Sequence, residues 1–172
     1  MQVSEARTLL ENAGWNKNIQ LWADLGCGKG IFTAALAGLL HEGSCIYAVD
    51  QDSDDLHFVP AQLHDVKIEK IPADFTTAVS VPLLDGILMA NSLHYVRDRN
   101  NFGLQLRSML KPKGRLLIVE YDTDTANRWV PFPLSFSTLQ QWAAAIGFAK
   151  TTRLGERASI YQRAKIYSAL IE

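Results

Sequence analysis

The sequence predicts an α/β fold: a doubly wound, mostly parallel seven-stranded sheet with helices on both faces and an antiparallel C-terminal hairpin. Three observations carry this. Short apolar strand segments alternate with helical ones; a glycine-rich turn follows the first strand directly; and an acid closes the second strand. One domain is expected over residues 1–172, with residues 1–16 as an N-terminal helix and 17–172 as the core.

Taken in order, residues 3–14 form an amphipathic lead-in helix, with Ser4 as its cap and Gly14 as its stop. Residues 19–25 are the first strand, and the apolar stretch 31–42 is a helix ending near Gly43. Residues 44–50 ("SCIYAVD") suit a strand buried on both faces. A weak helix over 53–63 is interrupted by Pro60, and residues 66–71 are a short strand. Residues 83–91 form the fourth strand, 99–110 a helix that stops before "KPKG", and 114–121 the fifth strand. A linker with Pro131 and Pro133 leads to a capped helix over 136–147. Alternating residues in 149–156 and 158–170 close the sheet as a hairpin.

Bulk composition narrows the function. Hydrophobic residues make up 48%, charged residues 20%, and the formal net charge is −1, as in an ordinary soluble globular protein. Lys150, Arg153, Arg157, Arg163 and Lys165 read as a solvated edge rather than a nucleic-acid face, so no nucleic-acid partner is expected. No stretch resembles a signal peptide or a membrane span. Cys27 and Cys45 have neither metal-ligand spacing nor a disulfide framework, and a cytoplasmic location follows as the default.

The chemistry concentrates in "WADLGCGKGIF" (Trp22 to Phe32). Gly26, Gly28 and Gly30 sit where a doubly wound sheet binds ligands, and Cys27 is placed to offer its backbone amide. A dinucleotide site wants G-x-G-x-x-G; here the pattern is G-x-G-x-G, with Asp24 two residues ahead. A carboxylate repels a pyrophosphate and attracts an ammonium or sulfonium. The ligand expected is therefore cationic and nucleoside-bearing. In "YAVDQD", Asp50 stands twenty residues after Gly30, where an acid accepts from both ribose hydroxyls. The run Asp50, Asp52, Asp54 begins like a calcium loop. Asp55 and Ala61 then occupy the positions that need Gly and Glu, so no metal is expected.

These residues resemble the class I, Rossmann-like S-adenosylmethionine-dependent methyltransferases. "DLGCGKG" (Asp24 to Gly30) resembles their first motif, "YAVDQD" their acidic motif, and "LKPKGRLLIVEY" (Leu110 to Tyr121) the turn and fifth strand. "DGILMANSLHYV" (Asp85 to Val96) is similar to the fourth-strand region of small-molecule members. The resemblance implies S-adenosyl-L-methionine as cofactor. It implies that Gly26 and Gly28 pass close to the amino-acid portion, with Asp24 orienting its ammonium, and that Asp50 holds the ribose with Gln51 beside the adenine. Asp74 and Phe75 match the pair that reads adenine, although Asp74 could equally cap its loop. Asn91 would meet the methionine end.

Methyl transfer from a sulfonium is an in-line displacement that needs alignment first, and a base only where the acceptor must lose a proton. His94 follows the fourth strand at the cofactor edge and is the candidate catalytic residue, as a base or an orienting group. Its alternative is a histidine that lines the wall or caps the loop. His41, His57 and His64 read as surface residues. The [DN]-P-P-[YF] signature is absent after Asn91. Tyr121 and Trp129, in the aromatic segment "YDTDTANRWVPFPLSF", suit a wall for a small organic acceptor, and an ordered loop tucked on the core is the other reading. The acceptor site is left open, or completed by the N-terminal helix or by a second copy in a homodimer. A cofactor-binding protein without catalysis and a nucleotide-dependent oxidoreductase are the competing functions; G-x-G-x-G with Asp24 disfavours the second.

Overall fold

The computed structural model describes residues 1–159 and 164–172. Residues 160–163, which the sequence places in the last strand and which include Arg163 of the basic group, lie outside the described residues. The elements are α1 (Val3–Leu10), β1 (Leu21–Leu25), α2 (Ile31–Ala37), β2 (Cys45–Asp50), α3 (Ser53–Leu56), β3 (Gln62–Leu63), β4 (Val66–Pro72) and β5 (Leu84–Ala90). They continue with a 3-10 turn (Leu93–Tyr95), α4 (Arg99–Met109), β6 (Leu110–Tyr121), α5 (Phe136–Ala145), β7 (Thr151–Ala158) and β8 (Lys165–Ile171).

All the strands join one sheet in the order β3-β4-β2-β1-β5-β6-β8-β7. The run from β4 to β6 pairs parallel, and β8 and β7 are antiparallel. Strand succession reverses between β1 and β5, the switch point at whose carboxyl edge such sheets bind ligands. Alternation along the strands sorts the core into two layers. Trp22, Ile46, Leu88, Leu117 and Val119 pack under α1 and α2. Leu25, Ile87, Met89, Ile118 and Tyr167 pack under α4 and α5. At the centre, Trp22 on β1 pairs with Gly86 on β5. A Cβ on Gly86 would lie 2.4 Å from the Trp22 indole, so the largest core side chain takes the space that glycine leaves.

Among the described residues the sheet has eight strands rather than the seven expected. The additional one, β3, is the short antiparallel partner of β4. His64 and Asp65 both take positive φ (51° and 58°), making the tight turn that a two-residue hairpin requires. The helix expected over 53–63 is only α3; Pro60 has no N–H to continue it. The lead-in helix ends at Leu10. Its first turn is closed by Glu5, whose carboxylate accepts from Gln2 N–H at 2.7 Å, so Gln2 rather than Ser4 holds the capping position. β6 starts at Leu110, with an irregularity in its pairing to β5 between Leu84 and Gly86 that absorbs "KPKG".

The course of α1 matters for the site. The chain just beyond its end is held midway along β6, where Arg115 donates to Ala13 O at 2.5 Å. Its start is held by Glu5–Arg157 at 2.9 Å. Arg157 is level with Ile166, and Ile166 with Tyr121. α1 therefore runs antiparallel to β6, and its start lies at the same edge as the glycine turn.

Candidate functional site

The turn after β1 is built around one carbonyl. Val49 O accepts from Gly26 N at 2.8 Å and from Cys27 N at 3.1 Å, which folds the glycine loop back over the end of β2. The Cys27 amide is thus committed within the fold, which corrects its expected donation to a ligand. Its thiol is buried, and burial raises its pKa, so it is an inert group.

The three glycines serve different ends. All have positive φ. A Cβ on Gly26 would stand 2.6 Å from Ser92 Cβ and 3.1 Å from the Phe75 ring; on Gly30 it would stand 2.9 Å from Val59. Those two are small because the protein itself comes close. At Gly28 the nearest atom is Asp55 Oδ2 at 3.8 Å, an ordinary van der Waals distance, so a side chain there is not excluded by crowding. Gly28 N donates to Asp50 Oδ2 at 2.7 Å, and Asp50 Oδ1 accepts from Asp52 N at 2.9 Å. The glycine loop and the acid at the end of β2 thus form one cradle. Gln51 is exposed beside it.

Asp24 lies beneath the loop, completely buried. Thr33 on α2 donates to its Oδ2 at 2.6 Å, and its Oδ1 is buried without a partner among the described residues. Burial pushes the carboxyl up to about 7; the Thr33 bond opposes this and the Asp50 charge adds to it. Across the switch point, Asn91 takes φ 54°. Its N–H donates to Val119 O at 2.8 Å, and its Oδ1 is also buried without a partner among the described residues. Ser92 Oγ donates to Leu25 O at 2.6 Å, joining the β5 end to the β1 turn.

Asp74 Oδ1 accepts from Thr76 N and Thr76 Oγ1 at 2.8 and 2.7 Å, so this oxygen plays the capping part. Phe75 covers Gly26 and packs on Phe102, ring centroids 5.9 Å apart. Gln105 donates to Thr77 O at 2.6 Å and holds the loop to α4.

His94 is 2% exposed, and so is not a free group at the mouth; its Nδ1 lies 2.8 Å from Oε2 of Glu120, which is 1% exposed. The His94 carbonyl accepts from Phe132 N at 3.0 Å, and Arg99 donates to the Phe132 and Pro133 carbonyls. The segment after β6 is further braced by Asp122, which accepts from Phe136 N at 2.8 Å, and by Asn127, which accepts from Trp129 N at 2.8 Å. Tyr121 is half-buried against the α1-side core, whereas Trp129 is 71% exposed. The sequence reading missed Thr33, Ser92, Arg99 and Glu120. Only Glu120 had left a signal, a charge inside the apolar run "LLIVEY".

A family model described as a methyltransferase domain matches residues 23–118, more than half of the chain, from the glycine turn to β6. The chain belongs to the methyltransferase domain family. It is of the class I, Rossmann-like type that its motifs resemble. A sequence search of curated proteins finds no match. Among solved structures, this methyltransferase is similar to the Burkholderia thailandensis 1,6-didemethyltoxoflavin-N1-methyltransferase, solved with 1,6-didemethyltoxoflavin and S-adenosylhomocysteine. The TM-score is 0.72 at 18% identity, covering 98% of this chain and 76% of that one. It is also similar to DhpI in its S-adenosylhomocysteine complex (TM-score 0.71, 19% identity, 97% and 83% covered). A third likeness is to the YcgJ protein of Bacillus subtilis (0.67, 14%, 98% and 96%). At these identities the likeness is one of fold. Among the described residues no helix is long and apolar enough to cross a membrane.

Proposed function

We propose that this methyltransferase binds S-adenosylmethionine across the β1 and β2 ends and transfers its methyl group to a small-molecule acceptor. The observation that carries the reading is the cradle at Gly28, an uncrowded left-handed glycine tied to the Asp50 carboxylate. Two buried oxygens without partners, Asp24 Oδ1 and Asn91 Oδ1, fit the same cofactor, since unpaired buried acceptors suit a cationic ammonium. Gly28 gives close backbone approach, Asp50 holds the ribose hydroxyls, and Asp24 and Asn91 hold the amino-acid end. Gln51, Asp74 and Phe75 border the adenine. When bound, S-adenosylmethionine supplies an electrophilic methyl on a sulfonium with a neutral leaving group.

What remains for the chain is alignment, which supplies most of the acceleration of such a displacement. The braced segment 122–135 forms a fixed wall at the same edge, with Trp129 and Tyr121 toward the acceptor. The near-neutral composition supports a small acceptor over a nucleic acid. The test is to incubate the protein with S-adenosyl-[methyl-³H]methionine and the low-molecular-weight fraction of a cell extract. Label in small organic products is expected. Label appearing only in protein or RNA when those are supplied would overturn the small-molecule reading.

A further inference from the structure

A second cleft, of about 400 Å³, opens across the switch point from the glycine turn, between the 3-10 turn after β5, the start of α4 and the loop after β4. Buried Val96 and Phe102 supply its apolar part. Thr76 and Gln105 line it from the loop and the helix, and Tyr95 and Arg97 from the turn. Its size suits a small organic ligand. It adjoins the cofactor site, because Thr76 follows Phe75, which covers Gly26, and Tyr95 follows closely on Asn91.

The polar groups of this cleft divide into committed and free. Asp98, the acid in its lining, accepts from Asn101 N at 3.2 Å and from Asn101 Nδ2 at 2.6 Å, capping α4. Gln105 gives its NH₂ to Thr77 O. Tyr95 is 55% exposed, and its ring is steadied on one side by the His94 imidazole, centroids 4.4 Å apart. Arg97 is exposed and has no carboxylate, carbonyl or ring partner among the described residues. Other cations at this edge are engaged: Lys29 with Asp55 and Phe58, Arg99 with two carbonyls, Arg128 with Trp129, and Arg157 with Glu5. A steadied aromatic ring and an unengaged guanidinium thus line the same cleft from one short turn.

Resting on the function proposed above, we infer that this cleft is a subsite for the methyl acceptor, and that the acceptor is a small aromatic acid whose ring lies on Tyr95 and whose carboxylate is held by Arg97. A guanidinium matches a carboxylate with two parallel N–H bonds, a fit that neither a neutral nor a cationic group reproduces. The Tyr95 ring offers an offset stack to a flat partner, worth more than contact with a saturated ring of the same size. Charge acts in the same sense. A cationic acceptor meets like charges at Arg97 and at the sulfonium, whereas an anion is attracted by both. Arg97 selects the acceptor by its remote carboxylate and takes no part in the displacement.

The test is a titration of the full chain, saturated with S-adenosylhomocysteine at neutral pH, followed by ¹H–¹⁵N correlation spectra. Three probes separate charge from ring: naphthoate, the cation naphthylmethylammonium, and the saturated acid decahydronaphthoate. Naphthoate is expected to bind about tenfold more tightly than either of the others and to shift the Tyr95 and Arg97 amide signals. In Arg97→Gln the preference over the cation should fall to about twofold or less, the residue of one exposed charge removed. In Tyr95→Ala the preference over decahydronaphthoate should fall likewise. Both side chains are exposed, so both variants should fold and keep their S-adenosylhomocysteine affinity. Lys113→Gln, at the opposite edge of the sheet, should leave every preference as in the parent. Equal binding of naphthoate and the cation, a preference that survives in Arg97→Gln, or shifts that leave out Tyr95 and Arg97 would each overturn the inference. Calorimetry on the same sample reports S-adenosylhomocysteine binding, and its absence would overturn the function on which the inference rests.

Discussion

Replacing Asp24 by asparagine separates what this residue does for the fold from what it does for a ligand. Its carboxyl is fully buried, with one oxygen bonded to Thr33 and the other without a partner, and burial raises its pKa to about 7. Against an unfolded carboxyl in its usual range, the folded protein holds the proton more tightly between about pH 4 and 7. There the unfolded chain binds fewer protons than the native one, so this group lowers stability as pH rises through the window and has a constant effect above it. At pH 8 the buried charge costs the native state about 4 kcal/mol. In the Asp24→Asn variant the amide oxygen keeps the Thr33 bond, while the NH₂ faces the unpartnered position at a cost of about 1–3 kcal/mol. The variant is therefore expected to be about 1–3 kcal/mol more stable than the parent at pH 8 and close to it at pH 5. S-adenosylhomocysteine affinity at pH 8 should fall by about 2–3 kcal/mol, the loss of a charge-assisted contact. The assays are urea unfolding from pH 5 to 8.5 and calorimetry. A variant that is less stable at pH 8, or that binds S-adenosylhomocysteine as tightly as the parent, would refute the reasoning.

Three further outcomes are expected. Asp50→Ala should weaken S-adenosylhomocysteine binding by about 2–3 kcal/mol and cost about 1 kcal/mol of stability, because the Gly28 and Asp52 amides lose their acceptor; unchanged affinity would reduce Asp50 to a loop cap. Gly26→Ala should cost about 3 kcal/mol of stability through positive-φ strain and the contact with Ser92, whereas Gly28→Ala should cost about 1–2 kcal/mol and mainly impair binding; equal urea midpoints would contradict this division. Trp129→Ala should leave the thermal midpoint and S-adenosylhomocysteine affinity unchanged, since the ring is exposed; a large drop in stability would make that segment core rather than wall.

The layered fold was legible because its signals are local and periodic. The β1 turn, the alternating segments and the acid closing β2 each announce themselves within a few residues, and the switch point follows from their order. The elements that differed depend on contacts across the chain. The β3 hairpin rests on positive φ at His64 and Asp65, residues that no turn rule singles out strongly. Asp24 was readable as an acid beside a glycine loop, but not as a group sealed under α2 by Thr33, nine residues later. The sequence also showed His94 as an isolated histidine. Its partner is 26 residues away, and only the pairing of β5 with β6 brings them together. Bracing of the aromatic segment by Arg99, from the start of α4, was hidden for the same reason.

The central claim is that the Gly28–Asp50 cradle takes S-adenosylmethionine rather than a dinucleotide, and calorimetry of the full chain against S-adenosylhomocysteine and NADH tests it most directly. Micromolar binding of S-adenosylhomocysteine is expected, weakened by about 2–3 kcal/mol in Asp50→Ala, with no comparable heat from NADH. Tight NADH binding with no response to S-adenosylhomocysteine would contradict it.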